Sequence, residues 1–143
     1  VPANSLRTSS QKPTYVAGFP ESMKTELQVN GESGSRPYAI VIPIKKDAEW
    51  WGLDQEARTA LMQEHTQAAL PYLKTVKRKL YHSTGLDDVD FITYFETEKL
   101  EDFHNLVRAL QQVKEFRHNR RFGHPTLLGT MSPLDEILEK FAQ

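Results

Sequence analysis

The run from Tyr38 to Ile44 constrains the fold more than any other segment, because its apolar side chains fall at both odd and even positions. A strand with one solvated face alternates apolar and polar residues, whereas a strand covered on both faces reads as a continuous apolar run. We therefore expect a strand here that is covered on both sides. Because later strands also carry apolar residues on both faces, one face of the sheet is expected to pack against a second domain or another subunit.

The segments after this run predict a ferredoxin-like α+β fold, an antiparallel sheet with helices on one face that pairs with another sheet as in a dimeric α+β barrel. Residues 1–36 are rich in Ser, Pro, Gly, Asn and Thr and are expected to be extended or loop structure. The folded domain is then expected to span residues 37–143. The predicted elements after the first strand are a helix from about Asp54 that ends near Pro71, strands at Val76–His82 and Val89–Phe95, a helix over Leu100–Val113, strands at Glu115–Phe122 and Thr126–Met131, and a last helix with Ser132 as its N-cap.

Composition excludes several classes of function. The 143 residues carry a net charge of −1, so no global basic field favours nucleic acid or a membrane surface as partner. There is no cysteine, which excludes disulfides, thiolate metal sites and cysteine nucleophiles. The longest apolar run, Ala39 to Ile44, is too short to cross a bilayer, and the N-terminus of the chain as given has no apolar segment of a signal peptide. No GxGxxG, P-loop or GxSxG motif supports a nucleotide or serine-hydrolase site.

Two residues stand out as candidates for chemistry. His65 lies on the apolar stripe of its predicted helix, where it is either a structural histidine with a hydrogen-bond partner or a metal ligand, and its position alone favours the former. Arg78 lies on the apolar side of its predicted strand, where a guanidinium needs an anion. Two interpretations stay open for Arg78: a buried ion pair with Glu115 or Asp90, or an anion-binding arginine beside a pocket.

The tryptophan pair and the remaining histidines are more typical of ordinary structural roles than of a functional site. The pair Trp50 and Trp51 is more typical of a core corner or an interface than of a cofactor wall. The remaining histidines show no HExxH or similar spacing, which argues against a zinc site of a known type.

Several segments together resemble the chlorite dismutase family, whose members are haem b enzymes that turn chlorite into chloride and dioxygen. The resemblance is to the longer-chain, pentameric lineage and covers about Lys12 to the C-terminus. The matching segments are YAIVIPIKK (38–46), EWW (49–51), EHT (64–66), VKRKLYHSTGLDD (76–88), DFITYFE (90–96) and GT (129–130).

The resemblance implies a role for each matching position. His65 would ligate the haem iron, Glu115 would accept a hydrogen bond from the other ring nitrogen of His65, and Lys46 would complete this arrangement. Arg78 would be the distal arginine, which holds chlorite while the O–O bond forms at the histidine-ligated haem b. The distal pocket wall would be Leu80, Thr93 and Phe95, and the haem edge would be lined by Thr14, Tyr15 and Val16 within residues 12–20, with Trp50 and Trp51 nearby and Phe122 at a position where the family often has tryptophan.

The resemblance also implies a homo-oligomer, a pentamer, in the periplasm, with chlorite as the small-molecule partner. The chain matches only the second, haem-binding half of such family members. Two alternatives remain: a haem protein of the same superfamily with another task, such as a coproporphyrin-haem decarboxylase, and a non-catalytic α+β barrel module. The decarboxylases lack the distal arginine, so Arg78 argues against the first alternative.

Overall fold

The computed structural model describes residues 7–8, 17–27 and 36–142. Its centre is a six-stranded sheet in which every strand pairing is antiparallel. The spatial order is β1-β3-β4-β2-β5, and β6 pairs with the other end of the same edge of β2. The strands are β1 (Arg7–Thr8), β2 (Tyr38–Lys46), β3 (Val76–His82), β4 (Phe91–Thr97), β5 (Asn119–Phe122) and β6 (Leu127–Thr130).

Within the described residues the sheet is accompanied by α-helices and 3-10 helices. Two of the α-helices begin at aspartates whose side chains accept a backbone N–H: Asp47 accepts from Trp50 and Asp54 from Ala57, both at 2.8 Å. Such capping satisfies N–H groups that have no partner inside a helix. The helices are α1 (Glu21–Leu27), α2 (Ala48–Gly52), α3 (Gln55–Ala69), α4 (Leu100–Leu110) and α5 (Leu134–Phe141), with 3-10 helices at Leu70–Tyr72 and Lys114–His118.

The core lies between one face of the sheet and the helices α3 and α4. Ile40 and Ile42 of β2 are at most 2% exposed and pack in one cluster with residues of both helices. The other buried members of this cluster are Ala69, Val76, Phe95, Leu106 and Leu110. Helices on one face of an antiparallel sheet confirm the predicted ferredoxin-like α+β fold.

Several predicted boundaries were wrong. Residues 1–36, expected to be loop, contain the helix α1, whose Met23 is buried. The expected strand Glu115–Phe122 begins only at Asn119, because the preceding five residues form a 3-10 helix. The N-cap position of the last helix is Pro133 instead of Ser132, since Pro133 has a non-helical ψ of 146°, and its side chain makes no capping hydrogen bond.

The last strand and helix leave apolar side chains uncovered in this chain. All residues of β6 are exposed, and Phe141 of α5 is 84% exposed. Among the described helices, none combines the length and the apolarity that crossing a bilayer requires.

Candidate functional site

The site is built around His65, which α3 holds over the sheet. Ala68 and Ala69, three and four positions later on α3, pack on the core, so His65 lies one turn away on the same side of the helix. Nδ1 of His65 lies 2.9 Å from Oε2 of Glu115. The side chain of His65 stays 28% exposed, and the hydrogen bond at Nδ1 leaves Nε2 available to a ligand.

Glu115 is a buried carboxylate that is held by two basic groups. It lies in the 3-10 helix Lys114–His118 and is 4% exposed. Its Oε1 accepts from the ammonium of Lys46, and its Oε2 faces His65. Burial raises the pKa of the Glu115 carboxyl, but the hydrogen bond and charge of His65, with those of Lys46, outweigh burial and lower this pKa to about 2. Glu115 is therefore a fixed negative charge beside the histidine.

Lys46 is held on three sides. Besides Glu115, its Nζ lies 2.8 Å from Oδ1 of Asn119 and 4.3 Å from the ring centroid of Trp50. The side chain of Lys46 is only 5% exposed, which explains why these contacts are needed. Asn119 could not be predicted from the sequence, because neither its spacing nor its residue type distinguishes it from a surface asparagine.

The backbone of Lys46 is fixed by a second buried carboxylate, Asp90. Oδ2 of Asp90 accepts from the backbone N–H of Lys46 at 2.8 Å, and the backbone N–H of Asp90 donates to Ile44 O at the same distance. Oδ1 of Asp90 lies 3.8 Å from Nζ of Lys45. Glu115 and Asp90, the two carboxylates considered as ion-pair partners of Arg78, thus both contact other basic or N–H groups.

Arg78 and the residues of the predicted pocket wall lie on one face of the sheet, and His65 lies on the same side of the sheet. In the register, Arg78 pairs with Phe95 and Leu80 with Thr93, so these four side chains point to one side. Thr93 also pairs with the core residue Ile42. This face is the one that α3 and α4 cover, so the structure brings the predicted distal residues and His65 to the same layer.

Two of the predicted wall residues are already committed to structural contacts. Phe95 is 8% exposed and packs against Phe103 with 5.1 Å between ring centroids. The hydroxyl of Thr93 donates to Ile42 O at 3.0 Å. Phe95 is therefore held by core packing, and the hydroxyl of Thr93 is used within the sheet.

The two tryptophans have different surroundings. Trp50 is 5% exposed and covers Lys46, whereas Trp51 is 42% exposed and stacks on Phe91 at 6.2 Å between ring centroids. Phe122 contacts Phe116 edge-on at 5.1 Å. The predicted haem-edge residues Thr14, Tyr15 and Val16 lie outside the described residues.

A second polar cluster, which no sequence pattern predicted, joins α2 to the 3-10 helix Lys114–His118. Oδ1 of Asp47 lies 3.1 Å from Nδ1 of His118, and the backbone N–H of Asp47 donates to His118 O at 2.8 Å. Glu49 lies nearby, with ligand atoms of all three residues within 4.8 Å of one another. Since Asp47 already caps α2, the cluster fixes Trp50 against the segment that carries Glu115.

Comparison with known proteins gives one consistent result. A sequence model of the family described as chlorite dismutase matches residues 3–132. The chain is 51% identical over 108 residues to the chlorite dismutase of Ideonella dechloratans, covering 75% of this chain and 38% of that protein. It is 32% identical over 110 residues to the coproheme decarboxylase of Mycolicibacterium smegmatis, covering 76% of this chain and 47% of that protein.

Solved structures agree with these sequences. The structure of chlorite dismutase from Candidatus Nitrospira defluvii in complex with imidazole superposes with a TM-score of 0.90 at 98% identity, covering 94% of this chain and 56% of that one. Dimeric chlorite dismutase from Nitrobacter winogradskyi gives a TM-score of 0.69 at 29% identity, covering 82% of this chain and 71% of that one.

The chain spans 38% of the curated chlorite dismutase and 56% of the Nitrospira chain, so it corresponds to part of each relative. The family match nevertheless extends over most of its residues, including both His65 and Arg78. On this match, and on a fold that superposes on solved members, the chain belongs to the chlorite dismutase family.

Proposed function

We propose that this chain binds haem b through His65 and converts chlorite into chloride and dioxygen. The observation that carries the proposal is the hydrogen-bonded series His65, Glu115 and Lys46 on the side of the sheet that also presents Arg78. The family membership and the 51% identical relative, a chlorite dismutase, support the same activity.

The donor set fits a haem. A haem requires one strong axial nitrogen, and a second hydrogen bond that fixes the ring tautomer. Nδ1 of His65 donates a hydrogen bond to the ionised Glu115, which leaves the lone pair of Nε2 for iron. This hydrogen bond also makes Nε2 a stronger electron-pair donor to iron. Haem iron, when bound, supplies an open coordination position at which chlorite can bind and its Cl–O bonds can break.

The residues of this chain then bind the anion and hold its fragments. Arg78 presents a planar cation whose N–H groups suit the two oxygens of chlorite. The same guanidinium retains the chlorine oxyanion after the first Cl–O bond breaks. The oxygen still bound to chlorine can then bond to the oxygen that was released first, as the second Cl–O bond breaks. Because chloride and dioxygen together contain all the atoms and electrons of chlorite, no external electron donor is required. The apolar side chains of Leu80 and Phe95 exclude water from this step.

A decarboxylase is the second candidate, because the 32% identical relative is a coproheme decarboxylase. Arg78 favours chlorite conversion, since an arginine on this face supplies the cation that chlorite needs. Incubation with iron coproporphyrin and peroxide, followed by mass analysis of the porphyrin, distinguishes the two. Loss of carboxylates without oxygen release from chlorite would favour the decarboxylase.

The proposal includes an assembly of several copies, by resemblance a pentamer, in the periplasm. Val41 and Tyr94 pair across β2 and β4 on the face opposite the core, and both are only half-buried in this chain. Such a face is suited to packing against another sheet. Light scattering during gel filtration measures the number of copies, and a monomer would contradict this part.

Titration with hemin tests the cofactor directly. We expect one hemin per chain with a Soret band that shifts on binding, and we expect His65→Ala to abolish that shift. The matched control is His104→Ala, which removes an exposed histidine of α4. Equal binding by the parent and His65→Ala would contradict the proposed ligand.

A further inference from the structure

A slip in the strand register places Asn119 opposite Lys46. β2 and β5 pair Ile44 with Phe122 and Lys45 with Arg121, but Lys46 then pairs with Asn119, so that the register passes over Arg120. A regular ladder would have put Arg120 beside Lys46, and like charges directly opposite each other destabilise a sheet. Bulges of this kind re-aim side chains near functional sites. Here the bulge replaces a cation by a neutral acceptor.

Asn119 completes the set of partners around a buried ammonium. An ammonium has three N–H donors, and Nζ of Lys46 meets three groups: Oε1 of Glu115, Oδ1 of Asn119 at 2.8 Å and the face of Trp50. Because the side chain of Lys46 is 5% exposed, water is a poor substitute for any of them. Loss of the amide oxygen of Asn119 therefore leaves a donor unsatisfied, and the ammonium must move.

We propose that Asn119 is a positioning residue for the iron ligand. Its side-chain oxygen and Glu115 both accept hydrogen bonds from the ammonium of Lys46. The ammonium is therefore kept beside the carboxylate, but it does not fully neutralise the carboxylate charge. Glu115 keeps enough negative charge on Oε2 to accept from Nδ1 of His65. Asn119 thereby controls how strongly Nε2 of His65 donates its electron pair to iron. The effect on iron rests on the proposed function, whereas the effect on Lys46 does not.

The first test is a double-mutant cycle on the hemin-loaded chain. Asn119→Leu should change the Fe(III)/Fe(II) equilibrium constant about tenfold, which is about 59 mV for a one-electron couple. The iron–histidine stretching frequency in Raman spectra should shift as well. In a Lys46→Met background the same substitution should have no further effect, because the group through which Asn119 acts is gone. Asn105→Leu, the same change on α4, should leave both readouts unchanged.

A second test needs no haem. The side-chain ¹⁵N-ammonium resonance of Lys46, identified by its loss in Lys46→Met, is expected in the parent because the ammonium is buried and hydrogen-bonded. It should disappear in Asn119→Leu and return in Asn119→Asp, which keeps an acceptor. Asn119→Asp also keeps the proposal testable if the leucine variant fails to fold, because it retains an oxygen acceptor for the ammonium, and loss of the Lys46 resonance in that variant would contradict the proposal.

Two further results would overturn the proposal: an ammonium resonance that persists in Asn119→Leu, or a potential shift of equal size in the Lys46→Met background. A parent chain that binds no hemin would refute the proposed function instead. In that case the Lys46 resonance still decides whether Asn119 holds the ammonium.

Discussion

Nδ1 of His65 lies 2.9 Å from Oε2 of Glu115, although 50 positions separate the two residues in the chain. Packing of α3 against the 3-10 helix Lys114–His118 creates this contact. Glu115 is buried and ionised, which is stable only because His65 and Lys46 both compensate its charge. The contact thus links the folding of the domain to the electronic state of the proposed iron ligand.

Glu115→Gln should weaken haem retention while keeping the size of the side chain. A glutamine carries no charge, so His65 loses its anionic partner and becomes a weaker donor to iron. Partners of this kind typically contribute 10-fold to 100-fold in metal affinity, and we expect hemin to dissociate faster by about that factor. Transfer of hemin to excess apomyoglobin measures the rate. Glu101→Gln, an exposed glutamate of α4, is the control, and equal rates in both variants would contradict the role of Glu115.

The lowered pKa of Glu115 predicts a loss of stability in acid. The carboxyl has a pKa of about 2 in the folded chain against an ordinary value of 4.5, so its contribution is complete above pH 4.5 and disappears as the pH falls through 2. The contribution is roughly 3 kcal/mol at most. Urea unfolding of haem-free protein at several pH values measures it. The difference between the parent and Glu115→Gln should shrink as the pH falls from 4.5 to 2, and a constant difference would refute the assignment.

Arg78→Ala should separate haem binding from catalysis. The substitution removes the cation proposed to hold chlorite but leaves the His65 side untouched, so hemin should bind with unchanged stoichiometry. Oxygen released per haem should fall at least tenfold, because fragments escape before the O–O bond forms, and the haem should bleach sooner. Lys77→Ala, a neighbour on the opposite face of β3, should behave like the parent. An unchanged oxygen yield in Arg78→Ala would exclude the proposed role.

Thr93→Val should affect stability more than turnover. The hydroxyl of Thr93 donates to Ile42 O, so it joins β4 to β2 and is not available to chlorite. Removal of this bond should cost about 1 kcal/mol of unfolding free energy. Turnover per bound haem should stay within about twofold of the parent, and Thr93→Ser should recover part of the stability. A large loss of turnover with unchanged stability would place the hydroxyl in the reaction instead.

Sequence patterns predicted the layers of the fold better than its irregular parts. The parity of Arg78, Leu80, Thr93 and Phe95 followed from the two-residue period of strands, and the structure has them on one face. The 3-10 helix that carries Glu115 was missed, because five residues contain too little periodicity to distinguish it from a strand.

The contacts around Glu115 and Lys46 depend on features that no local sequence pattern encodes. The register slip that brings Asn119 to Lys46 is a property of two strands together. The Asp47–His118 contact likewise joins residues 71 positions apart. Haem was predicted only through resemblance to a family, since the position of His65 on an apolar helical stripe alone favours a structural role.

Oxygen release from chlorite tests the central claim most directly. Hemin-loaded parent, His65→Ala and His104→Ala are given chlorite on an oxygen electrode, with bound haem quantified in each sample and free hemin as the blank. We expect one dioxygen per chlorite from the parent and from His104→Ala, and no more than the blank from His65→Ala. Stoichiometric hemin binding through His65 without any oxygen release from the parent would contradict the proposed activity.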